Sequence, residues 1–228
     1  MTGTFVTFEG VDGSGKSTQM RLLAAALRAQ KCEVLTTREP GGTPVGLKLR
    51  AALLDAHEEV DPLTELLVFA ADRAQHVRRV LRPALAAGQI VISDRYADAT
   101  VAYQGAGRGF SPELISQIVQ LATEGLKPNL TLLFDLSIEE SGARTRRRSE
   151  GKHKTEGDRL DSEDVAFHTR VREAYLRLAA AERDRFRIVH SDGSVEETQL
   201  QVRRIVMPFL ESRGHVIADQ ELSRTTPV

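Results

Sequence analysis

A phosphate-binding pattern lies near the start of the chain. The pattern G-x-x-x-x-G-K-[ST] is matched by Gly10, Val11, Asp12, Gly13, Ser14, Gly15, Lys16 and Ser17. Glycines in such a turn let backbone N–H groups point at phosphate oxygens, and the N-terminus of the following helix adds partial positive charge. Lys16 can then reach the β- and γ-phosphates, and the Ser17 hydroxyl can bind Mg²⁺. The pattern predicts a site for a nucleoside triphosphate with Mg²⁺, but it does not specify what receives the phosphate.

An acid and an arginine directly follow an apolar run that predicts a strand. Asp94 and Arg95 come after residues 90–93, at the carboxyl edge of a predicted sheet, where open α/β folds bind ligands. Asp94 could hold Mg²⁺ directly or through water, and Arg95 could bind a phosphate through two parallel hydrogen bonds. The alternative is an Asp–Arg pair with a purely structural role.

An aromatic side chain and a cation share one side of a predicted long helix. Phe69 and Arg73 are four residues apart and lie off the centre of its apolar stripe, so they are neighbours on the helix surface. Such a pair could recognise a nucleobase. Taken alone, the spacing favours a Phe at the rim of the core and a surface Arg.

The segment from 144 to 159 is strongly basic. It contains seven Lys or Arg and three acidic residues, a local charge of +4, around a polar stretch that includes Gly151 and Gly157. Phosphoryl transfer is favoured by a mobile cationic flap that closes over phosphates, expels water and supplies charge in the transition state. The alternatives are a solvated basic loop and a nucleic-acid patch.

Strands alternate with helices along most of the chain. Apolar and β-branched runs predict strands at 4–9, 33–36, 90–92, 130–134 and 186–190. Helical periodicity predicts helices at 15–29, 62–87, 112–123, 137–147, 162–181 and 194–211. This alternation indicates a single α/β domain over residues 1–228, with a five-stranded parallel sheet and helices on both faces. Residues 213–228 lack periodicity, so we expect a loosely held tail.

Composition narrows the class of protein. The 228 residues carry 31 Lys and Arg and 32 Asp and Glu, for a net charge of −1, which argues against a disordered protein and a globally basic nucleic-acid coat. The longest apolar runs fall far short of the ~20 residues that span a bilayer, and the first ten residues lack the basic stretch of a signal peptide. Cys32 is the only cysteine, so we expect no disulfide within the chain. Together these features predict no membrane segment and a cytoplasmic location.

The motifs together resemble those of bacterial thymidylate kinases, a family with the fold of the P-loop nucleoside monophosphate kinases. The resemblance extends from Thr4 to about Leu210 and rests on 8–19 (FEGVDGSGKSTQ), 37–44 (TREPGGTP), 69–75 (FAADRAQ), 94–96 (DRY), 102–109 (AYQGAGRG), the arginines of 144–148 and the pair at 158–159. The phosphate-binding turn carries no basic side chain before Lys16. The chain therefore resembles the type whose catalytic arginine lies in a short mobile lid, here about 144–159.

This resemblance implies transfer of the γ-phosphoryl of ATP to dTMP in dTTP biosynthesis, with dTDP and ADP as products. ATP would bind residues 10–17, Thr18 and Arg144, with Mg²⁺ at Ser17 and Asp94. The acceptor dTMP would contact Asp12 through its 3′-hydroxyl, Arg38 and Arg95 through its phosphate, Phe69 and Arg73 through thymine, Tyr103 beside the 2′ position, and Thr100 and Gln104 near the base. The implied catalytic group is Asp12, Lys16, Arg95 and Arg148, with Arg148 or a lid neighbour acting on the transferring phosphoryl. The implied assembly is a homodimer built on the apolar stripes of the long helices.

Two other functions remain open at this point. A deoxynucleoside kinase would share the P-loop and the lid but would phosphorylate thymidine itself. A P-loop ATPase with a nucleic-acid-binding segment would show salt-dependent DNA affinity, although few aromatic side chains are present to stack bases. The six histidines show no paired metal-ligand spacing, so Mg²⁺ accompanying ATP is the only metal expected.

Overall fold

A five-stranded parallel sheet forms the middle layer of the protein. The computed structural model describes residues 3–54, 59–150 and 159–217, without the side chains at 148–150 and 161–162. The strands are β1 (Thr4–Glu9), β2 (Val34–Arg38), β3 (Ile90–Asp94), β4 (Leu130–Asp135) and β5 (Phe186–His190). Their order is β2-β3-β1-β4-β5, and all neighbouring pairs are parallel. The predicted α/β class and five-stranded sheet are confirmed.

Helices connect the strands. They are α1 (Lys16–Ala29), α2 (Pro44–Leu54), α3 (Pro62–His76), α4 (Arg82–Ala86), α5 (Ala97–Thr100), α6 (Pro112–Thr123), α7 (Ile138–Glu150), α8 (Val165–Ala181) and α9 (Val195–Ser212). A π-helical turn at Val77–Leu81 joins α3 to α4, and a second one at Val101–Gly107 continues α5. Side-chain caps begin several helices. Asp61 accepts the N–H groups of Leu63 and Thr64 at the start of α3, and Ser194 with Glu197 forms a capping box at α9.

The two faces of the sheet bury different helices. Every residue of β1 is buried, and alternate side chains point to opposite faces. Val6 and Phe8 pack with apolar residues of α1 and α9, whereas Phe5 packs against the π-helical turn after α3. A third cluster joins α8 to the turn that carries Tyr103. The core therefore holds the central strands rigidly, and it leaves their carboxyl ends free to carry polar side chains.

Several local predictions differ from the structure. The predicted helix 62–87 is interrupted by the π-helical turn, and the helical segments at 44–54 and 97–107 were not predicted. Leu63 and Leu67, which the helical spacing puts on the apolar stripe of this predicted helix, are 47% and 49% exposed. Apolar periodicity alone did not reveal which side of α3 faces the core.

The end of the described chain is packed rather than loose. Arg213 Nε donates to the Thr4 hydroxyl at 3.2 Å, and His215 Nε2 lies 2.8 Å from the same oxygen. Ile217 belongs to the core cluster of α1 and α9. The expected loose tail therefore does not hold for 213–217, and residues 218–228 lie outside the described residues. None of the described helices is long and apolar enough to cross a membrane.

Candidate active site

The phosphate-binding turn joins β1 to α1, as its pattern requires. Gly10, Gly13 and Gly15 have positive φ angles of 133°, 72° and 86°, which glycine adopts without steric cost. At Gly10 a Cβ would also lie 2.4 Å from the backbone oxygen of Phe134 in β4. The turn therefore has the backbone shape and the adjoining helix N-terminus that suit phosphate oxygens.

Lys16 folds back over this turn. Its Nζ donates to the backbone oxygens of Gly10 at 3.0 Å and Val11 at 2.7 Å. Burial and the charge of Arg95 lower the pKa of Lys16, against the opposing effect of Asp12. The turn thus holds the amino group of Lys16 against its own backbone, and the predicted contact with the β- and γ-phosphates stays a prediction.

Two oxygen ligands suited to Mg²⁺ meet at the carboxyl end of β3. The Ser17 hydroxyl donates to Asp94 Oδ2 at 2.6 Å, because the register of β1 and β3 brings Asp94 beside Phe8, just before the turn. A hydroxyl and a carboxylate are hard ligands of the kind that Mg²⁺ prefers, with phosphates and water completing the shell. The described residues contain no group of three or more His, Cys, Asp and Glu that could hold a metal by themselves. The pair fits a Mg²⁺ ion that arrives with its nucleotide.

Arg95 is the centre of a polar cluster at the same edge. Its Nη2 donates to the Asp12 carboxylate at 2.8 and 2.9 Å and to the Tyr103 hydroxyl at 2.9 Å, and its guanidinium lies 4.7 Å from the centre of the Tyr103 ring. Burial raises the pKa of Asp12, but the charges of Arg95 and Lys16 outweigh it and hold that pKa below its ordinary value. Three residues predicted from distant motifs therefore meet, with a fixed cation at the centre.

Tyr175 and Glu9 form a hydrogen-bonded chain that begins at Arg95. Arg95 Nη1 donates to the Tyr175 hydroxyl at 3.4 Å, and that hydroxyl donates to Glu9 at 2.7 Å. Glu9 also accepts the backbone N–H of Tyr96 at 2.7 Å. Burial and the charge of Asp98 raise the pKa of Glu9 to about 8. Sequence reasoning assigned no role to Tyr175, because a tyrosine on the apolar side of a helix carries no signal of a partner 80 residues away.

Arg73 is buried, so the interpretation of a surface Arg is wrong. Its side chain is 2% exposed. Its Nε donates to Glu39 at 2.7 Å, its Nη1 to the Thr100 hydroxyl at 2.8 Å, and its Nη2 to the backbone oxygen of Tyr96 at 3.0 Å. Phe69, one turn earlier, is half-buried and packs against the apolar cluster that contains Tyr103. Phe69 and Arg73 on α3 and Thr100 on α5, the residues predicted to lie at the base, are thus close together.

Gln104 belongs to a second buried network. Its Nε2 donates to Glu65 at 2.8 Å, and Arg108 donates to the same carboxylate at 2.9 and 3.2 Å. Arg159, at the far end of the basic segment, is a third donor to Glu65. Burial raises the pKa of Glu65, but the hydrogen bonds from Arg108, Gln104 and Arg159 outweigh it and hold the pKa below its ordinary value. Glu65 and Arg108 were not predicted as site residues, and Glu65 links Arg159, at the end of the basic segment, to Gln104.

The basic segment begins on α7, which rests on the phosphate-binding turn. The Ser141 hydroxyl donates to the backbone oxygen of Asp12 at 2.6 Å. A Cβ at Gly13 would lie 2.9 Å from the backbone oxygen of Ser141, 3.1 Å from Thr145 Oγ1 and 3.3 Å from the Cβ of Arg144. Helix α7 therefore occupies the space in which a side chain at position 13 would lie.

Three predicted residues lie at the margins of the site. Arg38 is exposed at the carboxyl end of β2, where the register pairs it with Asp94. Thr18 is half-buried in the first turn of α1. Position 148 lies on α7, but the side chain of Arg148 and residues 151–158 lie outside the described part of the chain.

Comparisons with known proteins agree with this geometry. The sequence model of a family described as thymidylate kinase matches residues 8–202. A thymidylate kinase of Geotalea uraniireducens is 47% identical over 209 residues, 91% of this chain and 98% of the relative. One of Oleidesulfovibrio alaskensis is 50% identical over 205 residues, 89% of this chain and 96% of the relative. A crystal structure of thymidylate kinase from Ehrlichia chaffeensis superposes with a TM-score of 0.71 at 31% identity, covering 91% of this chain and 99% of that one. Because the family model matches most of the chain and these relatives are covered almost in full, the chain belongs to the thymidylate kinase family.

Proposed function

We propose that this protein transfers the γ-phosphoryl group of ATP to dTMP, giving dTDP and ADP. The observation that carries the proposal is the arrangement at the carboxyl edge of the sheet. There the phosphate-binding turn adjoins the cluster of Arg95, Asp12 and Tyr103, and α3 presents the buried Arg73 nearby. The phosphate-binding turn suits a triphosphate, and the Arg95 cluster together with Arg73 suits a nucleoside monophosphate.

The reaction requires positioning and charge rather than a strong base. An oxygen of the acceptor phosphate, already ionised near neutral pH, forms a bond to the γ-phosphorus as the bond to the leaving ADP oxygen breaks. Arg95 and Arg38 would orient the acceptor phosphate in line, and Lys16 would stabilise charge on the transferred group. Mg²⁺ held by Ser17 and Asp94 would neutralise charge on the ATP phosphates.

Asp12 and Tyr103 would orient the acceptor sugar. The Asp12 carboxylate is fixed by Arg95 and by the Tyr103 hydroxyl at 3.1 Å, so it remains a hydrogen-bond acceptor for a 3′-hydroxyl. The Tyr103 ring is buried against Phe167 and Tyr175. A rigid ring at this place would crowd a 2′-hydroxyl, which favours a deoxyribonucleotide.

The lid cation would come from α7. Ser141, Arg144 and Thr145 approach the phosphate-binding turn, and helical periodicity of three to four residues extends that face to position 148. We therefore propose Arg144 as an ATP contact and Arg148 as the cation on the transferring phosphoryl. Arg148→Ala should lower kcat by about 10³–10⁵-fold with little change in Tm.

Arg147→Ala is the matched control, since Arg147 is an exposed arginine on the same helix and should leave kcat nearly unchanged. Single-turnover phosphoryl transfer measures both. A loss of less than about tenfold in Arg148→Ala would move the role to Arg144, Arg146 or Arg159.

An ADP-release assay with a panel of nucleoside monophosphates and thymidine tests the function itself. We expect the highest kcat/KM with dTMP. One methyl group in an apolar pocket contributes only about 1–3 kcal/mol, so dUMP should be a poorer substrate rather than an inert one. Preference for thymidine would indicate a deoxynucleoside kinase, and preference for another monophosphate would refute the dTMP proposal.

A homodimer is proposed on the exposed side of α3. Leu63 and Leu67 on α3 and Leu121 on α6 are 47%, 49% and 77% exposed, and the two helices are in contact. Exposed leucines on two adjoining helices are typical of an interface. Light scattering should give a dimer mass for the wild type and a monomer mass for Leu67→Glu, and a monomeric wild type would contradict the proposal.

A further inference from the structure

A chain of buried polar side chains runs from β2 to Arg73. Thr37 Oγ1 lies 2.7 Å from His76 Nε2, His76 Nδ1 lies 2.8 Å from Glu39 Oε1, and Arg73 Nε donates to Glu39 Oε2 at 2.7 Å. The side chains of His76 and Glu39 are 0% and 2% exposed. Neither residue has a role in the reaction proposed above. Buried polar groups in such a chain hold one another in a single arrangement.

This chain determines which hydrogens Arg73 offers. A guanidinium has five N–H donors and no acceptor. Glu39 takes the Nε hydrogen, and Thr100 and the Tyr96 backbone oxygen each take one from the two terminal nitrogens. The guanidinium cannot rotate without breaking the bond to Glu39. Each terminal nitrogen therefore has one further N–H whose direction is fixed.

We propose that Glu39 is a specificity-determining positioning residue for the acceptor base. It holds the guanidinium so that the two remaining N–H groups of Arg73 are directed at the base edge. A pyrimidine with a carbonyl oxygen at position 4 is then accepted, and one with an amino group there is rejected. His76 fixes Glu39 for this task. The inference rests on the assignment of Arg73 to the acceptor base, and it extends that assignment to residues that do not touch substrate.

Helix α3 itself offers a matched control. Asp72 is next to Arg73 in the chain and 1% exposed, and its carboxylate accepts the Gly41 N–H at 3.1 Å. Asp72 thus ties the loop after Glu39 to α3, as Glu39 does. The hydrogen bonds of Arg73 run to Glu39, Thr100 and the Tyr96 oxygen rather than to Asp72. Asp72→Asn therefore changes the contact between this loop and α3 without freeing the guanidinium.

The test compares kcat/KM for dTMP and dCMP at saturating ATP in Glu39→Gln, Asp72→Asn and Arg73→Lys, together with the KM for ATP and Tm. Loss of a charge-assisted hydrogen bond should lower the dTMP-to-dCMP ratio about tenfold or more in Glu39→Gln, through a higher KM for dTMP with kcat and the KM for ATP little changed. Arg73→Lys should lower the ratio as well. Asp72→Asn should leave the ratio at the wild-type value.

Each other outcome refutes either the role of Glu39 or the assignment of Arg73 to the base. A wild-type ratio in Glu39→Gln with a lowered ratio in Arg73→Lys refutes the role of Glu39 and leaves the dTMP site intact. A wild-type ratio in Arg73→Lys refutes the assignment of Arg73 to the base and the inference with it. An equal fall in Asp72→Asn and Glu39→Gln assigns the effect to loop packing and refutes the inference. If Glu39→Gln does not fold, His76→Phe decides in its place, with a smaller fall in the ratio expected and no fall refuting the proposal.

Discussion

Gly13→Ala tests whether the phosphate-binding turn depends on its contact with helix α7. The new Cβ would lie 2.9 Å from the backbone oxygen of Ser141, and a backbone oxygen cannot rotate away as a side chain can. Helix α7 would have to shift outward. The shift would break the 2.6 Å hydrogen bond from Ser141 to the Asp12 oxygen and would move Arg144 away from the turn.

The cost has two parts. An L-residue with a side chain at the φ of 72° observed here costs about 1–2 kcal/mol, and a lost hydrogen bond costs about 0.5–1.5 kcal/mol. At about 2–4 °C per kcal/mol for a chain of this size, we expect Tm to fall by about 3–14 °C. Because a lid cation contributes about 10³–10⁵-fold to the rate, even partial displacement of α7 should lower kcat by more than about tenfold.

Gly109→Ala supplies the control for backbone strain. Gly109 has a φ of 83°, and a Cβ there would meet no atom within 4 Å. Thermal unfolding and ADP release at saturating dTMP should show a modest fall in Tm and an unchanged kcat for Gly109→Ala. If the two variants agree in both quantities, the turn does not depend on its contact with α7, and the reasoning is wrong.

Two further predictions concern Glu9 and Tyr175, which are linked to Arg95 by hydrogen bonds. The pKa of Glu9 is about 8 in the folded protein against an ordinary 4.5, so between these values the folded state keeps a proton that the unfolded state releases, and rising pH destabilises the fold. Glu9→Gln should therefore gain up to about 2.7 kcal/mol relative to the wild type between pH 5.5 and 7.5 at about 1.36 kcal/mol per unit, measured by urea unfolding; a difference independent of pH would contradict this. Tyr175→Phe and Tyr96→Phe each remove a hydroxyl that donates a hydrogen bond, and each should lower the free energy of unfolding by about 0.5–1.5 kcal/mol. Only Tyr175→Phe should raise the KM for dTMP, and equal KM values would deny Tyr175 a role in positioning Arg95.

The sequence predicted those parts of the site that depend on short stretches of chain. Residues 10–17 must follow a strand and open a helix, and Asp94 and Arg95 must lie at a carboxyl edge, because few other structures suit those residues. The sheet could be predicted as well, since its central strands are short runs of mostly apolar and β-branched residues.

The parts that were missed depend on contacts between distant residues. Arg73 is buried because Glu39, 34 residues earlier, neutralises it, and the helical pattern by itself favours a surface position for a charged side chain. Glu65 has donors 39, 43 and 94 residues away. Helix α2 was overlooked because Val45 and Leu47 are about half exposed, so its apolar residues do not form one buried stripe.

The π-helical turn at Val77–Leu81 has a consequence for insertions and deletions. A π-helical turn holds one residue more than an α-helical one, so losing a residue there would restore a continuous α-helix and keep the flanking segments in the same rotational register. Losing a residue between Phe69 and Arg73 would instead turn one relative to the other by about 100°, at 3.6 residues per turn. A one-residue deletion in this long helix is therefore expected to be tolerated at 77–81 but not between Phe69 and Arg73.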